Sequence, residues 1–223
     1  MSNNPQISFH IYRYQILPIS QQTPLFFYSD VTSLEELKKR KNEFFSKSTL
    51  AIKKMIYSRA ELIHKTIFDQ DDIIIFKVGV NRTLSRGKPD FTEEETDNWP
   101  NFFIIINNKD NIQKIAIQLN RKAFSSTHTV ANILEQTINN ILEKYFLKAH
   151  FKPIFTKESF WNIVERHPDG ITQTCFDMIS PNMSNISKSL HLDLHQLNAS
   201  TNTQETKLDL NSGGQRDALL KFN

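Results

Sequence analysis

At 223 residues, 39% hydrophobic and 23% charged, the chain has the composition of a globular protein and the length to bury a core without staples. A net charge of +3 excludes a histone-like polybasic protein, so charge has to be read from local clusters. The single cysteine, Cys175, excludes an intramolecular disulfide and suits a reducing compartment.

The opening MSNNPQISFH has no cationic segment followed by an apolar one, so no signal peptide is expected. Apolar runs such as Phe102 to Ile106 fall far short of the roughly 20 residues that span a bilayer. Abundant Asn, Ile and Lys with scarce Gly and Ala suit an AT-rich bacterial genome. The expectation is a cytoplasmic bacterial protein with no membrane association. One large domain or two small ones fit the length.

Gln6 to Ile19 reads as a strand. Ile7, Phe9 and Ile11 lie on one parity, and His10, Tyr12, Tyr14 and Ile16 on the other. Leu25 to Tyr28 suggests a second short strand. Ser33 with Glu36, or Thr32 with Glu35, forms a capping box. Leu34, Leu37, Phe44, Phe45, Ile52, Met55 and Ile56 then recur at helical spacing, which predicts an amphipathic helix of about six turns.

Two hairpins follow. ELIHKTIF and IIIFKVGV flank Asp69 to Asp72, and NFFIIINN and IQKIAIQLN flank Lys109 to Asn111. Between them, Leu84 to Pro100 is polar and acidic with two prolines, and reads as a long loop. Thr129 to Leu147 carries the clearest helical stripe, from Val130 to Phe146. Lys152 to Thr156 suggests a strand, ESFWNIVERH a short helix and ITQTCFDMIS a strand. A helix with Ile186, Leu190, Leu194 and Leu197 on one face comes next, and ETKLDL closes as a strand. That connection is long enough for a parallel crossover.

These elements predict an α+β fold: a mainly antiparallel sheet packed by two long helices, with a small C-terminal β-α-β lobe. A division into 1–127, the sheet with the basic helix, and 128–223, the core helix and the lobe, is the natural split. One continuous domain is the alternative.

The first helix concentrates positive charge in Lys38, Lys39, Arg40, Lys41, Lys47, Lys53 and Lys54, against Glu35, Glu36 and Glu43. Such a run can hold nucleic-acid phosphates or simply solubilise the outer face of a core helix. Tyr12, Tyr14, Phe26, Phe27 and Tyr28 offer stacking surfaces nearby. Arg13 between two tyrosines suggests the sheet platform of an RNA-recognition module, but the glycine-aromatic signature of that module is missing. Trp99, in DNWPN, is either a lid over the sheet or an exposed anchor for a partner.

His191 and His195 in HLDLH stand at i and i+4, a spacing that can share a zinc ion and equally suits the border of an amphipathic helix. Asp177 with Glu205 and Lys207 is loosely similar in spacing to the carboxylates and lysine of a Mg²⁺-dependent nuclease, although the predicted helix intervenes between the two strands, and equally reads as plain strand-surface charge. Asp69, Asp71 and Asp72 lack the glycine and terminal glutamate of a calcium loop and read as a turn. No P-loop, GxGxxG or GxSxG sequence occurs, and nothing calls for a cofactor.

ISFHIYRYQILPI, and ITQTCFDMISPNMSNISKSLHLDLHQLNAS with TKLDL after it, resemble uncharacterised bacterial proteins found with prophages and anti-phage defence genes. The resemblance covers about a quarter of the chain and carries over no functional residue. It implies a role in defence or in a toxin–antitoxin-like pair. The leading expectation is a non-catalytic component of such a system that binds a partner protein or nucleic acid. The alternatives are the divergent nuclease and a structural subunit of a larger complex.

Overall fold

The computed structural model describes residues 7–19, 31, 33–57, 60–154, 162–163, 165–166, 173–179 and 205–211. The chain divides into two compact units, Met1–Ile154 and Phe155–Asn223.

The first unit is a seven-stranded sheet. Its strands are β1 (Phe9–Pro18), β2 (Met55–Tyr57), β3 (Ala60–Gln70), β4 (Ile73–Val80), β7 (Asn101–Asn107), β8 (Lys114–Gln118) and β9 (Leu147–Pro153). Their order is β2-β3-β4-β7-β8-β1-β9, and every neighbouring pair is antiparallel. Two helices, α1 (Leu34–Leu50) and α2 (Thr127–Leu142), cover one face. α2 touches both β9 and β2, the two edge strands, so the sheet curls around it.

Strand parity decides the layers. Tyr12, Tyr14 and Ile16 point inward and are buried with Ile74, Phe76, Val78, Phe102, Ile104, Ile106, Ile115 and Ile117. From the helices come Leu37, Phe44, Phe45, Val130, Ile133, Leu134, Ile138 and Leu142. Burial of this apolar surface is the main stabilising term. Asp71 and Asp72 both adopt positive φ, 54° and 62°, which is the type I′ turn that matches strand twist in a two-residue hairpin.

Several expectations need correction. The Ser33 cap is observed, with Oγ accepting the Glu36 N–H, but α1 has 17 residues, fewer than five turns at 3.6 per turn. Lys53 and Lys54 therefore lie on the connection to β2, outside the helix. Met55 continues the helical period, yet it is buried in the sheet. There it gains more than one further helical turn would supply, so tertiary packing overrides local periodicity. α2 is likewise shorter than read, at 16 residues. A 3-10 turn at Glu143–Tyr145 and left-handed Phe146 lead into β9.

The acidic segment read as a loop contains a hairpin, β5 (Leu84–Gly87) and β6 (Glu93–Thr96). All eight strand residues are exposed, so no alternation of polarity marks them. The backbone ladder joins the pair, and cross-strand charge adds to it, with Arg86 opposite Glu94 and Lys88 bridged to Glu94 at 3.3 Å.

In the second unit, β10 (Gln173–Ile179) and β11 (Glu205–Asn211) pair antiparallel, which rules out the parallel crossover between them. The helix expected between them, with His191 and His195, lies outside the described residues, as does the strand at Leu25 to Tyr28. Asn162, Ile163, Glu165 and Arg166 are helical, within the expected short helix.

Candidate nucleic-acid interface

The charged run on α1 is largely neutralised by its own helix. Lys38 meets Glu35 at 3.1 Å, Arg40 meets Glu43 at 2.8 Å and Glu36 at 3.8 Å, and Lys47 meets Glu43 at 2.6 Å. Hydrogen bonds from Arg40 and Lys47 hold the Glu43 carboxyl down to about 2. Arg40 and Lys47 also lie over the Phe44 ring, at 4.9 and 5.9 Å. Lys41 is half-buried, and desolvation lowers its pKa against the pull of Asp110. Lys39 is exposed. The seven cations thus form no single stripe: three are paired on the helix, Lys39 is exposed, one is partly desolvated and two lie beyond the helix.

Tyr12 and Tyr14 are not stacking surfaces either; Phe26, Phe27 and Tyr28 lie outside the described residues. Tyr12 is buried, its hydroxyl 2.9 Å from Thr127 Oγ1. Tyr14 stacks on Phe45 with ring centroids 4.4 Å apart and donates to Asn108 Oδ1 at 2.6 Å. Asn108 and Asn42 exchange side-chain to backbone hydrogen bonds at 2.8 and 2.9 Å. Asn42 also donates to Asp110 and accepts from Gln113 Nε2. This part-buried network docks α1 onto the β7–β8 turn and leaves neither Tyr12 nor Tyr14 open to a ligand.

The opposite parity builds a different surface on the outer face of the sheet. Register aligns Phe68, Ile75, Ile105, Ala116 and Ile11 in one row across β3, β4, β7, β8 and β1. At about 4.8 Å per strand this row is roughly 19 Å long. The row on one side runs Ile73, Asn107, Lys114, Arg13, Lys152. The row on the other side holds Lys65 opposite Lys77 and Lys77 opposite Phe103. Phe103 N–H donates to Gln118 Oε1, and Gln118 in turn lies opposite Phe9.

Phe9, Ile11, Ile63 and Phe68 are exposed. Trp99 approaches from the end of this face, its ring 3.9 Å from where a Cβ on Gly79 would stand, and is 41% exposed. The ring both covers the glycine and remains open to solvent.

Across β3 from Leu62, β4, β7, β8, β1 and β9, the outward positions carry no carboxylate. Lys65, Lys77 and Lys114 are exposed and make no salt bridge among the described residues. Lys77 stands 6.0 Å over the Phe103 ring. Exposed aromatics interleaved with unpaired cations form a chemistry suited to flattened bases and phosphates. Sequence reading missed this surface, although the alternation of Ile63 with Lys65, and of Lys77 with Ile75, was there to find. Only register shows that these strands are neighbours.

In the second unit Asp177 stands directly opposite Lys207, and Glu205, two residues from Lys207, stands opposite Ile179. Positions 177, 205 and 207 therefore share one face of this two-stranded sheet. Among the described residues no group of three His, Cys, Asp or Glu side chains is placed to hold a metal ion, and no helix is long and apolar enough to cross a membrane.

Compared with protein-family models, curated proteins and solved structures, the chain matches none.

Proposed function

We propose that this chain is a non-catalytic binding protein whose outer sheet face takes a single-stranded nucleic acid. Bases stack on Phe9, Phe68, Phe103 and Trp99, while Lys65, Lys77 and Lys114 meet phosphates. Arg13 and Lys152 extend the basic row. The single observation that carries this reading is the exposed face rich in aromatics and lysines and free of carboxylates over the strands named above. Stacking contributes about 1–3 kcal/mol per base and tolerates any sequence, so little base preference is expected. The resemblance to defence-associated bacterial proteins supports a setting in which phage or host single strands are the target, within a system that includes partner proteins.

Fluorescence anisotropy with labelled single- and double-stranded DNA and RNA, over a salt series, tests it. Binding to single strands should weaken steeply with salt. Absence of binding at low salt would remove the proposal.

The register of Asp177, Glu205 and Lys207 supports a second reading, a divergent Mg²⁺-dependent nuclease. In the same assay, cleavage only with Mg²⁺, abolished by Asp177→Asn, would favour it.

A further inference from the structure

The hairpin formed by β5 and β6 is acidic. From Leu84 to Asp97 it carries Asp90, Glu93, Glu94, Glu95 and Asp97 against Arg86 and Lys88. At its tip Phe91 is 99% exposed and sits at φ 63°. Asp90 fixes that tip, accepting from both the N–H and the Oγ of Thr92. Asn81 donates to Asp97 at the base. A large apolar side chain held out in solvent, between carboxylates, gains nothing from the fold that carries it.

The same chain presents a complementary surface. The outer sheet face has a partly exposed apolar row for Phe91, open at Phe68 and Ile11, flanked by Lys65, Lys77 and Lys114 for the carboxylates. The hairpin does not occupy its own face, because every residue of both its strands and Phe91 are exposed.

We infer that the Phe91 hairpin docks on the outer sheet face of a second copy of this chain, where its carboxylates and phenyl ring stand in for phosphates and a base. This contact competes with single-stranded nucleic acid for the face. The competition rests on the function proposed above; the self-association does not.

Sedimentation velocity over a protein concentration series, at low and high salt and without nucleic acid, reads the association directly. The native chain should associate with rising concentration and dissociate in high salt. Phe91→Ala, and Glu93→Lys with Glu94→Lys and Glu95→Lys, should each raise the dissociation constant at least tenfold. Phe91→Ala removes no contact within the hairpin and is the decisive variant; the lysine substitutions also break the Lys88–Glu94 bridge, so circular dichroism and hydrogen exchange check that the hairpin and the sheet persist in both. Mixing the lysine-substituted hairpin variant with a Lys65→Glu, Lys77→Glu, Lys114→Glu variant should restore a heterodimer.

A native chain that stays monomeric throughout, or a Phe91→Ala variant that associates like native, overturns the inference. Nucleic-acid affinity is measured separately at concentrations below association. Failure of that binding with association intact would discard the polyanion reading and the competition, and leave the docking.

Discussion

The side-chain amide of Asn139 reproduces a neighbouring strand for Ala149. Its Nδ2 donates to the Ala149 carbonyl at 2.8 Å, and its Oδ1 accepts the Ala149 N–H at 2.7 Å. One turn earlier on α2, Glu135 accepts the Phe151 N–H at 2.8 Å. β9 is an edge strand, and edges left open template aggregation. Here a helix supplies the missing ladder.

Asn139→Ala should therefore cost about 1–3 kcal/mol, since both Ala149 groups lose their partners in a part-buried setting. Urea unfolding gives the loss, and hydrogen exchange at Ala149 should quicken selectively. Uniform quickening across the sheet would show that the side chain acts through global stability and not at the edge.

Glu135 should give a pH signature. Burial pushes its carboxyl up, against the Phe151 N–H and the charges of Lys152, Lys148 and His128. The folded chain thus holds this proton more tightly than the unfolded one. Stability falls as pH rises from the ordinary glutamate range through the raised folded value. Glu135→Gln keeps an acceptor and removes the charge. Above that window the variant should be at least as stable as native, with the slope gone. Parallel native and variant curves between about pH 4 and 8 would contradict the assignment.

Tyr14→Phe preserves the stack on Phe45 and deletes the hydroxyl that donates to Asn108. A buried amide oxygen loses this donor, at a cost of about 1–3 kcal/mol. Asn42→Ala breaks the other side of the same network, so the double variant should fall short of additivity by about 0.5–3 kcal/mol. Strict additivity would mean that the two groups act separately.

Charge reversal separates the two basic surfaces. Lys65→Glu with Lys77→Glu and Lys114→Glu should lower single-strand affinity well over tenfold and reduce the log–log salt slope by about 2, at roughly 0.7 per phosphate contact. Reversal of Lys38, Lys39 and Lys41 should change it far less, because Lys38 is already paired and Lys41 partly desolvated. The opposite ranking would return the site to α1.

The sequence by itself determined the elements with strong periodicity. The two apolar hairpins, the stripe from Val130 to Leu142, the Ser33 cap and the division of β1 into two parities all follow from side-chain spacing. Spacing governs which residues share a face. Where elements end was decided by tertiary packing: Met55 leaves a helical pattern because the sheet core buries it. The exposed acidic hairpin escaped notice because a strand pair with no buried side has no polar alternation to read.

The candidate site belongs wholly to the tertiary structure. Lys114 and Arg13 are about a hundred residues apart in sequence and paired in register, as are Ile11 and Ala116. Charge density along the chain picked out α1, where opposite charges one turn apart cancel. Strand order, which no local pattern encodes, instead gathered lysines scattered through the sequence onto one face that, from Leu62 onward, carries no outward carboxylate over the strands named above.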